Sequence, residues 1–253
     1  MSWKIVIEKD CKEGKCAFFD VIKNFNYSGT LIFKERNTLR KIDIPTLGTL
    51  AVKSFKKPHL INRYIYTNFR PSKASRSYYN AKKLLSKGIH TPTPLAYFEE
   101  KKNGKLLRSF YFSEYYAYDF TFRELIEKRD LFPDWNLIIQ SFTEFIYKVH
   151  NASILFKDLS PGNVLIRKNG NVYEFSLIDL NRMSFRTLSM DERLQNFIRL
   201  SLTDEMIPII GTRYAELNNQ ETNKLIEILT VKNKEYIHKK DRKKNIKRLL
   251  GKS

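Results

Sequence analysis

Short apolar runs separated by polar turns fill the first part of the chain. Residues 30–34 (TLIFK) form one such run, 39–44 (LRKIDI) alternate, and 49–55 (TLAVKSF) alternate again after a turn at Gly48. Runs of this length and period predict strands, and three in succession predict an antiparallel meander with Lys53 on one face of the third. Residues 1–56 as a whole read as strands. The period then changes. Over residues 72–87, Ala74, Tyr78, Ala81 and Leu85 recur at helical spacing, Ser72 stands where a cap belongs and Gly88 where a helix stops. TPTP at 91–94 breaks the chain before a strand at LAYFEE. Asn103-Gly104 is the turn of a hairpin whose second strand, LLRSFYFSEYY, is rich in aromatics.

Beyond this point helical periodicity dominates. FRELIEK (122–128) and WNLIIQSFTEFIYKVHNAS (135–153) are amphipathic, and most of the chain from about residue 190 is helical. Between them VLIRK (164–168), an Asn169-Gly170 turn and VYEFSLID (172–179) predict a second hairpin. The expected fold class is therefore α+β, with two lobes. A strand-rich lobe spans 1–116, a mainly helical lobe spans 117–253, the join lies near 114–120, and a nucleotide-sized cleft is expected at it.

Composition and charge narrow the classes. The 253 residues are 42% hydrophobic, with 9 Gly and 8 Pro, enough for a sizeable core and contrary to a disordered or fibrous chain. The opening MSWKIVIEKD does not read as a secretory signal, and no stretch is apolar for long enough to span a bilayer. A cytoplasmic protein, peripheral on the inner membrane face at most, is expected. Cys11 and Cys16 in CKEGKC read as two free thiols in a charged hairpin rather than half a metal site or a redox pair, because structural zinc takes four ligands and there is no third cysteine. His59, His90, His150 and His238 show no ligand spacing. The net charge of +19 comes almost wholly from two blocks. Residues 53–98 carry ten basic side chains and no acid, and residues 232–253 carry ten basic and two acidic. Such concentration points to anionic partners: phosphates, anionic lipid or nucleic acid.

The chemistry sits in residues 149–182, VHNASILFKDLSPGNVLIRKNGNVYEFSLIDLNR. A helix, an apolar run, Asp158, Asn163 five residues on, a hairpin and then Asp179 reproduce the order of a protein-kinase catalytic loop and metal loop. Phosphoryl transfer needs a carboxylate to orient the attacking hydroxyl and accept its proton, which suits Asp158 as catalytic base. It also needs Mg²⁺ to offset phosphate charge. That ion takes oxygen ligands, one or two carboxylates plus the substrate phosphates, which suits Asn163 and Asp179. Lys157 is placed near the transferred phosphate, and Lys53 on the third predicted strand matches the lysine that holds nucleotide phosphates. Asp-x-x-x-x-Asn alone also describes an ordinary capped turn; the flanking helix, hairpin and second Asp set it apart.

These residues resemble a known group. FKDLSPGN…LIDLNR, the N-terminal hairpin with VKSFKKP, and KASRSYYNAKKLLSKGIHTPTPLAY look like the lipopolysaccharide core kinases of the Kdo kinase/WaaP type, over roughly residues 28–185. The resemblance implies a protein-kinase-like two-lobe fold. It also implies ATP and Mg²⁺ as cofactors and a sugar hydroxyl of Kdo or heptose in the lipid A inner core as acceptor. By position it makes Asp158 the catalytic Asp, Asn163 and Asp179 the metal ligands, and Lys53 the phosphate-binding lysine. Arg36 in the nucleotide-covering turn, and Glu114 and Tyr116 near the adenine, complete the expected nucleotide contacts. Three departures stand out. The covering turn Glu35-Arg36-Asn37-Thr38 has no glycine. Residues 54–98 have no acid to pair with Lys53, Tyr79 or Asn80 occupying the place of the usual glutamate. Asp179-Leu180-Asn181 replaces Asp-Phe-Gly.

The expected partners are ATP, a lipid-linked sugar acceptor, and an anionic membrane met by the basic segment from about residue 232. Ile237, Ile246, Leu249 and Leu250 lie among its cations, as in a basic amphipathic helix on a membrane or a plain solvated tail. Nucleic acid is not expected as a partner, since most aromatics fall at core spacing. Two other readings remain open from the residues: a kinase of the same fold acting on protein or small-molecule hydroxyls, and a pseudokinase module that binds anionic lipid or nucleic acid.

Overall fold

The computed structural model describes residues 1–56 and 71–249. Lys57, Arg63 and Arg70 of the first basic block, and Leu250 of the second, lie outside the described residues. The chain divides into two compact units, Met1–Ala117 with Asp179–Asn181, and Tyr118–Ile178 with Arg182 onward.

In the N-terminal unit the described strands are β1 (Ser2–Ile7), β2 (Thr30–Lys34), β3 (Asn37–Ile44), β4 (Gly48–Phe55), β5 (Pro94–Lys102) and β6 (Lys105–Glu114), in the order β1-β5-β6-β4-β3-β2. Every neighbouring pair is antiparallel. The β2–β3–β4 meander is present as expected, and Asn103 and Gly104 both take positive φ in the tight β5–β6 turn. The period of two sends alternate side chains to opposite faces. Leu50 and Val52 of β4, Phe98 of β5 and Phe110 and Phe112 of β6 pack with Phe18, Val21 and Ile22 of helix α1 (Lys15–Lys23). Phe55, Tyr97 and Tyr111 face the other way, toward Ala74 and Tyr78 of helix α2 (Lys73–Leu85). Lys53 pairs with Tyr111 in the ladder, so its parity sets it on the α2 face.

Three expectations for this unit are corrected. Residues 1–56 are not all strand: a 3₁₀ turn (Lys9–Gly14) and α1 intervene, and Cys11 and Cys16 are free thiols on these rather than in a hairpin. Because β1 precedes the meander, Lys53 lies on the fourth strand of the chain, not the third. On α2 the inward series ends in Leu84, which is wholly buried, while Leu85 is exposed. The Ser72 cap is as expected, its hydroxyl accepting from Ser75 N at 3.1 Å.

The C-terminal unit is built on helix α4 (Trp135–Asn151), whose buried stripe runs through Trp135, Ile138, Ile139, Phe142, Ile146 and Val149. Before it come strand β7 (Phe120–Thr121) and helix α3 (Phe122–Glu127), which opens on a capping box between Thr121 and Glu124. After it come β8 (Ile154–Phe156), β9 (Val164–Asn169), β10 (Val172–Leu177) and β11 (Met183–Phe185). Strands β10, β9 and β7 form one small sheet, and β11 and β8 another. Helices α5 (Met190–Ile198), α6 (Met206–Asn218) and α7 (Thr222–Leu249) complete the unit.

The long α7 changes character along its length. Leu225, Leu229 and Asn233 are buried at one-turn spacing, whereas Ile237 and Ile246 are exposed. Those two isoleucines are nine positions apart, two and a half helical turns, and so face opposite ways. Between Ile237 and Ile246, therefore, no apolar stripe runs along this part of the helix. No helix among the described residues is long and apolar enough to cross a membrane.

Candidate active site

The catalytic-loop residues are assembled within the C-terminal unit. β8 ends at Phe156, and its partner β11 is held in register with Met183 opposite Phe156. Lys157 N then donates to Arg182 O at 3.0 Å, extending the ladder by one rung and setting Arg182 beside Asp158. Arg182 Nη1 donates to Asp158 Oδ1 at 2.9 Å, with the arginine side chain 54% exposed and the aspartate 25%. Leu159, next in sequence, is wholly buried and anchors the loop. A 3₁₀ turn (Pro161–Asn163) follows, in which Asn163 N donates to Ser160 O at 2.9 Å. The Asn163 amide donates back to Asp158 O at 2.9 Å, which turns its Oδ1 away from that carbonyl. Ile178 N donates to Asn163 O at 3.0 Å, tying the end of β10 to this turn. A Cβ at Gly162 would lie 3.2 Å from Arg123 Nη2, the end of an exposed side chain that can give way. Lys157 is exposed and carries no part of this bonding through its side chain among the described residues.

A buried network holds the loop from below. Asn196 of α5 donates to Phe156 O at 2.8 Å, and its Oδ1 lies 3.1 Å from His150 Nε2. The amide oxygen can only accept, so Nε2 carries the proton and Nδ1 accepts from Tyr214, 2.8 Å away. Burial pushes the His150 pKa down to about 4, so the ring is neutral at pH 7.

The phosphate-binding and metal-loop candidates are assembled in the N-terminal unit. Lys53 Nζ meets Asp179 Oδ2 at 2.9 Å, with side chains 18% and 31% exposed. This supplies the partner that the acid-free stretch after Lys53 lacks. Asn181 Nδ2 donates to the other carboxylate oxygen at 2.5 Å, and Asp179 itself takes φ +60°. From α2, Asn80 Nδ2 donates to Leu180 O at 2.6 Å and Arg76 Nη1 to Asn181 O at 2.9 Å. Burial lowers the pKa of Lys73, at the start of α2; Asp179 pulls it back up, and Arg36, Lys53 and Arg76 push it down again. Four cations, one of them Arg36 from the covering turn, thus share one electrostatic neighbourhood with a single carboxylate.

The remaining nucleotide candidates lie at the end of β6. Glu114 is exposed, and its N–H donates to Thr93 O at 2.9 Å. The Tyr116 ring packs on His90 with centroids 5.0 Å apart. Four residues of this chemistry carry no assignment from sequence alone: Arg182, Arg76, Lys73 and Asn196. Arg182 stands inside the LIDLNR motif, yet only the β8–β11 register shows that it faces Asp158. Among the described residues no three His, Cys, Asp or Glu side chains cluster as a metal cage.

A twisted antiparallel sheet with a lysine on the α2 face, followed by a helical unit carrying Asp-x-x-x-x-Asn and a hairpin into a second Asp, defines the protein-kinase-like two-lobe α+β fold. The solved structure described as "WaaP in complex with acyl carrier protein" shares that fold, with a TM-score of 0.62 and 17% identity, over 93% of this chain and 98% of that one. The model of the lipopolysaccharide kinase (Kdo/WaaP) family matches residues 50–227, a span that holds Lys53, Asp158, Asn163 and Asp179. The chain belongs to that family and is a kinase. No curated protein matches it in sequence.

Proposed function

We propose that the protein transfers the γ-phosphoryl group of ATP to a hydroxyl of a Kdo or heptose sugar in the lipopolysaccharide inner core. The observation that carries this reading is the Asp158 loop, in which β8–β11 pairing and the Asn163 amide fix a partly exposed carboxylate just beyond the end of a strand. On this reading Asp158 orients the acceptor hydroxyl and takes its proton as the oxygen attacks phosphorus, with ADP leaving. Arg182 holds one oxygen of that carboxylate, so the other is presented to the acceptor. Lys53 exchanges Asp179 for a phosphate oxygen of the nucleotide, and Arg36 and Lys73 add positive charge around the phosphates. Glu114 and Tyr116 border the adenine.

The donor set suits Mg²⁺: Asp179 and Asn163 offer oxygen only, and Asp179 already accepts a positive charge at 2.9 Å in the form of Lys53. When bound, the ion neutralises charge on the phosphates, and Asp179 and Asn163 are the residues that would hold it. The acceptor lies in an anionic lipid, and the net charge of +8 over residues 232–253 supports a peripheral position at the inner membrane face.

The test is transfer of labelled γ-phosphate from ATP to purified Kdo–lipid A with Mg²⁺. Asp158→Ala should lose transfer by about 10²–10⁴-fold, the range for a lost general base, while ATP still binds. Transfer to casein or to an aminoglycoside but not to Kdo–lipid A would overturn the choice of acceptor. Undiminished transfer by Asp158→Ala would overturn the mechanism.

A further inference from the structure

Helix α2 stands where a kinase-like fold supplies the glutamate that pairs with its phosphate-binding lysine, yet residues 54–98 contain no acid. What α2 offers instead is two donors. Arg76 and Asn80 are four residues apart, one turn, and so share a face. Arg76 donates to Asn181 O at 2.9 Å and Asn80 to Leu180 O at 2.6 Å. Both acceptors are main-chain carbonyls of the two residues that follow Asp179. Asp179 sits at φ +60°, a left-handed conformation that a non-glycine residue keeps only when its surroundings hold it there. The third tie is the 2.5 Å bond from Asn181 Nδ2 to Asp179 Oδ1. The side chain of Asn181 thus braces the carboxylate while α2 braces the backbone beneath it.

We propose that Arg76 and Asn80 are positioning residues for the metal-ligating carboxylate of Asp179. They act on the loop backbone directly, where a helix glutamate would act on the lysine. The inference rests on the reading of Asp179 as a metal ligand. It separates two roles that the usual arrangement joins: Lys53 answers to the phosphates, and α2 answers to the metal. A merely structural role for Asn80 would alter thermal stability and leave the metal requirement unchanged.

The experiment is calorimetric titration of the full chain with ATP over a series of Mg²⁺ concentrations, for wild type, Asn80→Leu and Arg76→Lys. Asn80→Leu is expected to raise the Mg²⁺ needed for half-maximal ATP binding by about 10–100-fold, the range for lost outer-shell partners, with affinity for metal-free ATP unchanged. Arg76→Lys, which keeps a donor, should shift it less. If Asn80→Leu does not fold, Asn80→Asp removes the N–H donor at nearly constant volume and is read in the same titration. An unchanged Mg²⁺ requirement in the folded Asn80 variant, or an equal loss of metal-free ATP, overturns the inference. Absence of Mg²⁺-dependent ATP binding in the wild type overturns the kinase reading beneath it, and is seen before any variant is compared.

Discussion

Lys53 illustrates what one residue's surroundings decide. Its side chain is mostly buried and meets a carboxylate at 2.9 Å, which holds it on the α2 face. Replacing it by methionine keeps the aliphatic stem and removes the charge, leaving Asp179 with the Asn181 bond among the described residues. Because both side chains are only partly open to water, the stability cost should lie between that of an exposed and a buried pair, roughly 1–2 kcal/mol. The catalytic cost should be far larger, about 10²–10³-fold in kcat as for the loss of one transition-state donor. Parallel measurement of the thermal midpoint and kcat checks both, and a large fall in the midpoint would mean that the pair is chiefly structural. At this scale chain order alone singles out Asp158, Asn163 and Asp179 as candidates, and the structure joins Asp158 and Asn163 in one turn. The partner of Lys53 was not legible: it is 126 positions away, and nothing in local sequence points from β4 to the loop after β10. Arg182 was hidden for the same reason, since only a strand register places it against Asp158.

Among elements, the Asp158 loop rests on a junction of α4, α5 and α6. His150, Asn196 and Tyr214 come one from each, and through Asn196 they reach the carbonyl of Phe156, two residues before Asp158. Burial lowers the His150 pKa to about 4 from an unfolded value near 6.5. The folded state therefore resists protonation while the unfolded chain accepts it. Stability from this source is fully present above about pH 6.5 and is lost as pH falls through about 4, a change worth about 3 kcal/mol. Denaturant unfolding at a series of pH values should show that decline, and His150→Gln should flatten it; an unaltered slope in the variant would assign the decline to other groups. The strands of the meander and the helices α2 and α4 were legible because the period is clear in each, and in α2 the Ser72 cap agrees with it. Helix α1 was not. Its nine residues follow CKEG, whose charged, glycine-containing text reads as a turn, and Phe18, Val21 and Ile22 show their helical spacing only when set against the sheet they cover. Leu84 and Leu85 show a related limit, because one residue's difference in helical phase falls within the width of an apolar stripe.

For the whole molecule, charge is the property that sequence conveys most directly and that the fold refines. Positive charge at the end of the chain was plain from composition, but its geometry was not. α7 buries Leu225, Leu229 and Asn233 in the C-terminal unit, Asn233 donating to Leu202 O at 2.9 Å, and beyond that its described side chains are largely exposed around the whole circumference. A helix whose described surface is so basic is suited to meet an anionic surface through charge. Deleting residues 237–253 removes a net charge of +7 and, among the described residues, none of the buried side chains of α7. The thermal midpoint should therefore hold. Binding to phosphatidylglycerol vesicles should weaken steeply, since each basic residue near such a surface contributes about 1 kcal/mol. Because that attraction fades within a Debye length, raising ionic strength should release the full-length chain from the same vesicles, and phosphatidylcholine vesicles should bind neither form. Equal binding of the full-length and shortened chains to anionic vesicles would move the membrane contact elsewhere, to the acid-free block at 53–98. Binding that survives high salt would instead point to apolar insertion.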